Sequence, residues 1–433
     1  MFKNNKLYLK ILVVNIVCCL ILTLCLTGAT AAADTEVSLL LFIHYSQAAQ
    51  DTIQKQAEKW AANKGVKVKI DFVEDTSLAS MITSESQIGK GHDIIPLRES
   101  DAYLFEKILT DVSSVVEEIQ KTNGQAYDIA KIGDNVNGIW RGIPWYHDTA
   151  PMLYRKDYIE EVGYTVENMN NMTTDEFLVL AKKLKESGHP VGMQCAQIPD
   201  GNATLGSLMY SFGSYLFGPD NTIIIDSKET RQALEYFKNL YQYMPEDLLG
   251  WDNSGNNQFM LSKEGGVTGN TPSIYATAQD NNFAFKDQLY HAPNPFGPKG
   301  SWDAVTVWSF GIPVYAKNKD LAADLIKYLL TWDNFYEHAK SARGFDMPVY
   351  NGLDDLSIWT DNPNLSGIVT GKDNFMSVGA PGINALPSAA SQRANISYTV
   401  PIMFGKYLTG TSIDEAIKWT VNELKRFVEE ENQ

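Results

Sequence analysis

The chain has 433 residues, 44% of them hydrophobic, and a formal charge of −16 at pH 7. That length exceeds what one core usually serves, so at least two lobes are expected. The acidic balance argues against nucleic acid and anionic membrane surfaces as partners.

The first segment reads as a secretory signal over residues 1–33. Lys3, Lys6 and Lys10 precede the apolar run Ile11 to Leu26, and small residues lead to Ala31-Ala32-Ala33 ahead of Asp34. Cleavage there removes three lysines and no acid, taking the net charge from −16 to −19. The alternatives are an uncleaved membrane anchor and lipidation at Cys25. Small residues follow the apolar run where basic stop-transfer residues would mark an anchor. Leu24 stands where a lipoprotein signal places a small residue, so lipid anchoring is the weaker alternative. After cleavage only Cys195 remains, which excludes an internal disulfide and a cysteine metal site. No second long apolar run follows, so the mature chain is expected outside the membrane, in the periplasm.

Val37 to Ile43 predicts a buried strand, and Ser46 to Asn63 a helix with Ile53, Ala57, Trp60 and Ala61 on one face. Val66 to Val73 alternates as a strand should, Leu78 to Gln87 predicts a helix, and Asp93 to Leu97 a short strand. Strand–helix–strand repetition implies an α/β fold with a parallel sheet. Thr173-Thr174-Asp175-Glu176 and Ser412-Ile413-Asp414-Glu415 are capping boxes that open helices. Asp226 to Tyr243 and Asp320 to Lys340 are two further amphipathic helical stretches, and Tyr350 to Ala390 reads as loops with short elements.

The chain carries no phosphate-cradling G-x-x-x-x-G-K-[ST], G-x-G-x-x-G, H-E-x-x-H, G-x-S-x-G, S-x-x-K or C-x-x-C signature. Its six histidines, His44, His92, His147 and His291 among them, show no metal-ligand spacing. No metal, cofactor or catalytic residue is therefore expected. Aromatic residues in loop-like segments are the positive signal: Trp140, Trp145, Tyr146, Trp251, Trp302, Trp308 and Phe345. A flat ring matches the apolar C–H face of a sugar, and short polar side chains match its hydroxyl rim. For each ring taken alone, core packing is the competing reading.

Several segments resemble the type 1 extracellular solute-binding proteins, the maltose-binding-protein-like group. His92-Asp93-Ile94-Ile95-Pro96-Leu97 is similar to the family's P-D-I-I strand. Gly142-Ile143-Pro144-Trp145-Tyr146-His147-Asp148-Thr149, running on to Leu153-Tyr154-Arg155-Lys156-Asp157, resembles its first interlobe crossover. Gly266 to Asn270 resembles the second crossover, and Arg343-Gly344-Phe345-Asp346-Met347-Pro348 the third. Lys317 to Ala323 and Gly410 to Ala416 resemble two of the family's helices. Leu97 stands where a stacking aromatic can occur in the family, and no tryptophan follows Asn270.

The resemblance implies a periplasmic-binding-protein type II-like fold of two lobes joined by three crossovers. Residues 37–142 with 272–342 would form the first lobe, and residues 143–271 with 343–433 the second. It implies no enzyme but the binding component of an ABC importer, a monomer that presents ligand to membrane permease subunits. The family also takes glycerol phosphates, ferric ion, thiamine and oligosaccharides, so the ligand does not carry over. The aromatic set favours a carbohydrate. Converging cations for a phosphate are restricted to Arg98 and Arg141, and no tyrosine cluster for iron follows Tyr350. The expected ligand-binding residues are Tyr45, Arg98, Glu99, Trp145, Tyr146, Asp148, Trp251, Asn270, Trp302, Trp308 and Phe345. A secreted carbohydrate-active enzyme, whose two acids obey no spacing rule, and a sensor presenting ligand to a kinase are the alternatives.

Overall fold

A computed structural model describes residues 35–353, 357–370, 375–378, 381–383 and 385–431. The signal segment 1–33, with Cys25, lies outside the described residues.

The amino-terminal half-sheet follows the expected grammar. β1 (Glu36–Phe42) and β2 (Lys67–Val73) pair in parallel, from Glu36 opposite Lys67 to Phe42 opposite Val73. The helix Gln47–Lys64 connects them, its start capped by Ser46 and its end by Gly65 in the left-handed region at φ 68°. It buries Ile53, Ala57, Trp60 and Ala61, the face its periodicity predicts. A bridge from Leu39 to Ile94 brings in the next strand, β3 (Ile95–Arg98).

Two further sheets organise the rest. A short hairpin of β4 (Asn135–Val136) and β5 (Ile139–Trp140) leads to β6 (Ile143–Ala150). β6 pairs antiparallel with β10 (Asp303–Gly311), which also pairs with β3 and β12 (Phe375–Ser377); β11 (Met347–Pro348) closes the far edge on β6. The last sheet is smaller: β7 (Met152–Arg155) is flanked by β8 (Val267–Gly269) and β9 (Leu289–Ala292).

Buried apolar side chains form two large clusters. One gathers β1, β3, β10 and the helices around Trp60, Leu325 and Phe335. The other gathers Tyr154, Phe177, Leu205, Phe237, Phe404 and Leu424. Both expected capping boxes hold. Thr173 and Glu176 exchange side-chain-to-backbone bonds at the start of Thr174–Glu186, and Ser412 and Glu415 do so before Ile413–Glu431. The single helix expected over 320–340 is two, Lys319–Leu329 and Trp332–Ser341, with Thr331 in extended geometry between them.

The passages between sheets fall later in the chain than the family motifs suggest. β6 pairs with β10 along its length, from Ile143 opposite Phe310 to Ala150 opposite Ala304 with a register shift between Trp308 and Ser309, and the chain leaves that sheet at Pro151. The second expected passage, at residues 266–271, is only partial. The helix Ser273–Asp280 buries Ile274, Tyr275 and Ala278 in the first cluster, yet β9 returns to the β7 sheet before β10 begins at Asp303. The third follows β12 rather than Arg343: Met347, Val349, Tyr350 and Leu353 still pack in the first cluster.

Candidate functional site

Between the two sheets lies a cleft of about 550 Å³. Its first wall is assembled from strand ends, where open α/β sheets place their ligands. Tyr45 follows β1, Asp75 follows β2, and Arg98 ends β3. Asp148 on β6, Thr306 and Trp308 on β10, and Phe345 complete it. The second wall is built differently. Asp200 lies in the first turn of the helix Pro199–Phe212, whose start Pro199 marks. Asn253 precedes, and Asn257 lies on, the helix Gly255–Leu261, while Asn270 follows β8.

On the first wall the side chains hold one another. Trp308 Nε1 donates to Asp148 Oδ2 at 2.9 Å, and Phe42 stacks on the indole at 4.0 Å with an 18° tilt. The Arg98 guanidinium stands 5.4 Å from the centre of the same indole, 3.6 Å from Asp75 Oδ2 and 3.2 Å from Glu99 Oε1. Burial would lower the Arg98 pKa, but the Glu99 and Asp75 carboxylates outweigh it and raise it, so the arginine is a fixed cation. Burial pushes the Asp148 carboxyl up to about 7, against the pull of Trp308 and Arg98. Asp200 is pushed up to about 6 by burial, opposed by its bond from Asn256.

The second wall presents amides. Asn270 Nδ2 donates to Asn257 Oδ1 at 2.7 Å, and Asn257 Nδ2 reaches Ser273 Oγ at 3.2 Å. Asn253 Nδ2 donates across the cleft to Asp75 Oδ1 at 3.2 Å.

Of the expected site residues, Tyr45, Arg98, Asp148, Asn270, Trp308 and Phe345 line this cleft. The other five do not. Glu99, at φ 57°, is buried behind Arg98 and bonded by Asn395. Trp145 is 5% exposed, stacked on Phe310 at 4.5 Å, and Tyr146 is fully buried beside it. β6 is covered on both faces, so its side chains are buried whichever way they point. Trp251 packs on Phe259, and Trp302 donates from Nε1 to Lys299 O with its ring against Tyr210. Arg141 is bound to Leu109 O, also off the cleft. Asp75, Asp200, Asn253 and Asn257 were not legible as site residues. For Asp75, its place just beyond a parallel strand was the available signal.

The sequence matches the family model of the bacterial extracellular solute-binding proteins over residues 46–334. A probable ABC transporter-binding protein of Deinococcus radiodurans is 26% identical over 332 residues, 70% of this chain and 75% of that protein. A putative ABC transporter periplasmic-binding protein of Escherichia coli is 24% identical over 362 residues, covering 78% and 79%. Among solved structures, the maltose-bound MalE3 of T. maritima superimposes with a TM-score of 0.77 at 22% identity, over 90% of this chain and 99% of that one. A sugar transporter from Arthrobacter chlorophenolicus with bound laminaribiose gives 0.78 at 17%, over 90% and 99%. Two large apolar clusters, a cleft among the strands and helices they support, and a family match over residues 46–334 make the assignment: this chain belongs to the bacterial extracellular solute-binding proteins and has their periplasmic-binding fold.

Proposed function

We propose that the protein captures a neutral sugar in this cleft and delivers it to the permease of an ABC importer. The observation that carries the reading is the Arg98–Trp308–Asp148 group facing the amide wall of Asn253, Asn257 and Asn270. A buried carboxylate and a fixed guanidinium supply charged hydrogen-bond partners to hydroxyls, roughly twice as strong as neutral ones. The amides can give and take bonds with the same hydroxyls. Tyr45, 43% exposed beside Phe345, is the cleft ring with free surface for a sugar face. With Asp75, Asp148 and Asp200 against Arg98, the lining disfavours an anionic ligand.

The relatives and neighbours named for sugars and for ABC transport support the same reading. In it, each sheet with its core is a lobe, the mature monomer starts near Asp34 outside the cytoplasm, and the ligand is held without being turned over. Ligand closes the lobes in proportion to its greater affinity for the closed arrangement.

A thermal-shift screen of the mature protein against neutral mono- and oligosaccharides tests this. A cognate sugar at a hundredfold over its dissociation constant should stabilise the fold by about 2.7 kcal/mol, and prolonged incubation should return it unchanged. Stabilisation by phosphorylated compounds alone, or conversion of the sugar, would overturn the proposal.

A further inference from the structure

Directly behind Tyr45 and Phe345, outside the cleft, three buried side chains converge: His44, His338 and Asp346. Their nitrogen and carboxylate ligand atoms all lie within 4.8 Å of one another. They come from three separate elements, the loop after β1, the helix Trp332–Ser341 and the segment before β11. The absence of metal spacing in the sequence therefore missed a set that only the fold assembles.

A hydrogen-bonded knot accounts for half of this cluster. His44 Nε2 stands 3.2 Å from Asp346 Oδ1. His338 Nε2 approaches Asp346 Oδ2 at 2.6 Å, while the buried His338 Nδ1 has no hydrogen-bond partner. The buried Tyr146 Oη, whose ring faces both imidazoles, is also unpartnered. Unpaired buried polar atoms of this kind cost stability unless something satisfies them.

We propose that His44, His338 and Asp346 form a site for a divalent transition-metal cation, of the zinc class. Two imidazoles and a carboxylate are the donor set such ions take, at about 2.0–2.2 Å. Two donors on a tetrahedral ion stand about 3.3 Å apart at those bond lengths; the His44–Asp346 pair is already at 3.2 Å, and the His338–Asp346 pair, at 2.6 Å, opens by about 0.7 Å. His44 Nδ1 is held by the Ser46 backbone, accepting from its N–H at 2.9 Å and standing 3.1 Å from its carbonyl oxygen, which fixes the ring with Nε2 turned toward Asp346. The ion ties the end of β1, the last helix before Arg343 and the segment leading into β11 into one unit. Tyr45 and Phe345, the chain neighbours of two ligands, are the cleft residues it steadies.

Cobalt substitution tests the site on tag-free mature protein dialysed against chelator. Added Co²⁺ should bind one equivalent, give the visible absorption of a four- or five-coordinate ion, yield to Zn²⁺ in competition, and raise the melting temperature. His338→Gln should abolish the absorption. No visible band and no melting shift with wild-type protein would overturn the proposal without recourse to any variant. Bands that persist in His338→Gln would also overturn it, since the ion would then sit elsewhere.

Discussion

The two walls of the cleft solve the same problem with different chemistry. The first wall puts ions and rings on strands and just beyond their ends, each locked by a neighbour: Trp308 by Phe42 and Asp148, Arg98 by Asp75 and Glu99. The second wall puts short amides on helix starts and a strand end, with Asn270, Asn257 and Ser273 linked in a chain and Asn253 reaching across to Asp75. On the proposed function, such a division would give the first wall most of the binding energy and the second wall the task of completing the hydroxyl bonds. The difference teaches that charge alone would have found most of the first wall but only Asp200 of the second.

Substitutions graded by wall sharpen that contrast. The largest effect belongs to neither wall. Trp145→Ala removes a ring buried against Phe310 and Tyr146 behind the first wall, and should cost about 3–5 kcal/mol of stability. Denaturant melts should show that loss while calorimetry on the folded fraction finds affinity held. A loss of affinity without a loss of stability would return Trp145 to the site. Asn257→Ala breaks two neutral amide bonds on the second wall and should cost about 0.5–1.5 kcal/mol of affinity, a few-fold to tenfold change by titration. A loss exceeding that of an Asp148 substitution would invert the roles assigned to the walls.

The smallest effect is on stability against pH. Burial holds Glu99, Asp134, Asp148 and Asp303 up at about 7, and Asp101 and Asp200 at about 6. The folded state keeps protons there that the unfolded chain has already lost. The stability these six contribute is full below about pH 4 and is lost as pH rises through 6 to 7. His147 and His291, pushed down to about 4 by burial, pull the opposite way between pH 4 and 6.5. The melting temperature of the ligand-free protein should therefore decline modestly from pH 5.5 to 7.5, read by calorimetric scans in matched buffers; a steady rise would contradict the burial of these carboxyls.

Much of this fold was legible in the sequence because local signals and packing agree. Helical spacing over Ile53, Ala57 and Trp60 and the boxes at Thr173 and Ser412 emerge as the elements they predict. The break at Thr331 was not legible, because the apolar face runs on through both helices. Cleft-lining positions were legible where a residue sits in a recognisable motif, as Asp148 does, or ends a strand, as Arg98 does. Trp145 and Tyr146 misled because β6 is buried on both faces, which gives a continuous apolar strand the same appearance as an aromatic site loop. Asn253 and Asn257 carry no pattern that separates a cleft amide from a loop amide. His44 and Asp346 are 302 residues apart along the chain, and no spacing rule spans that distance.

The role of the first wall rests on Asp148, and one substitution tests it. With the sugar identified by thermal shift, calorimetry should find Asp148→Ala weaker by about 1.5–3 kcal/mol, roughly ten- to a hundredfold or more. The ligand-free melting temperature should barely move, because loss of the Trp308 bond is offset by relief of a carboxyl whose burial pushes it up to about 7. Affinity equal to wild type, with a lowered ligand-free melting temperature, would make Asp148 a structural partner of Trp308 and contradict the account.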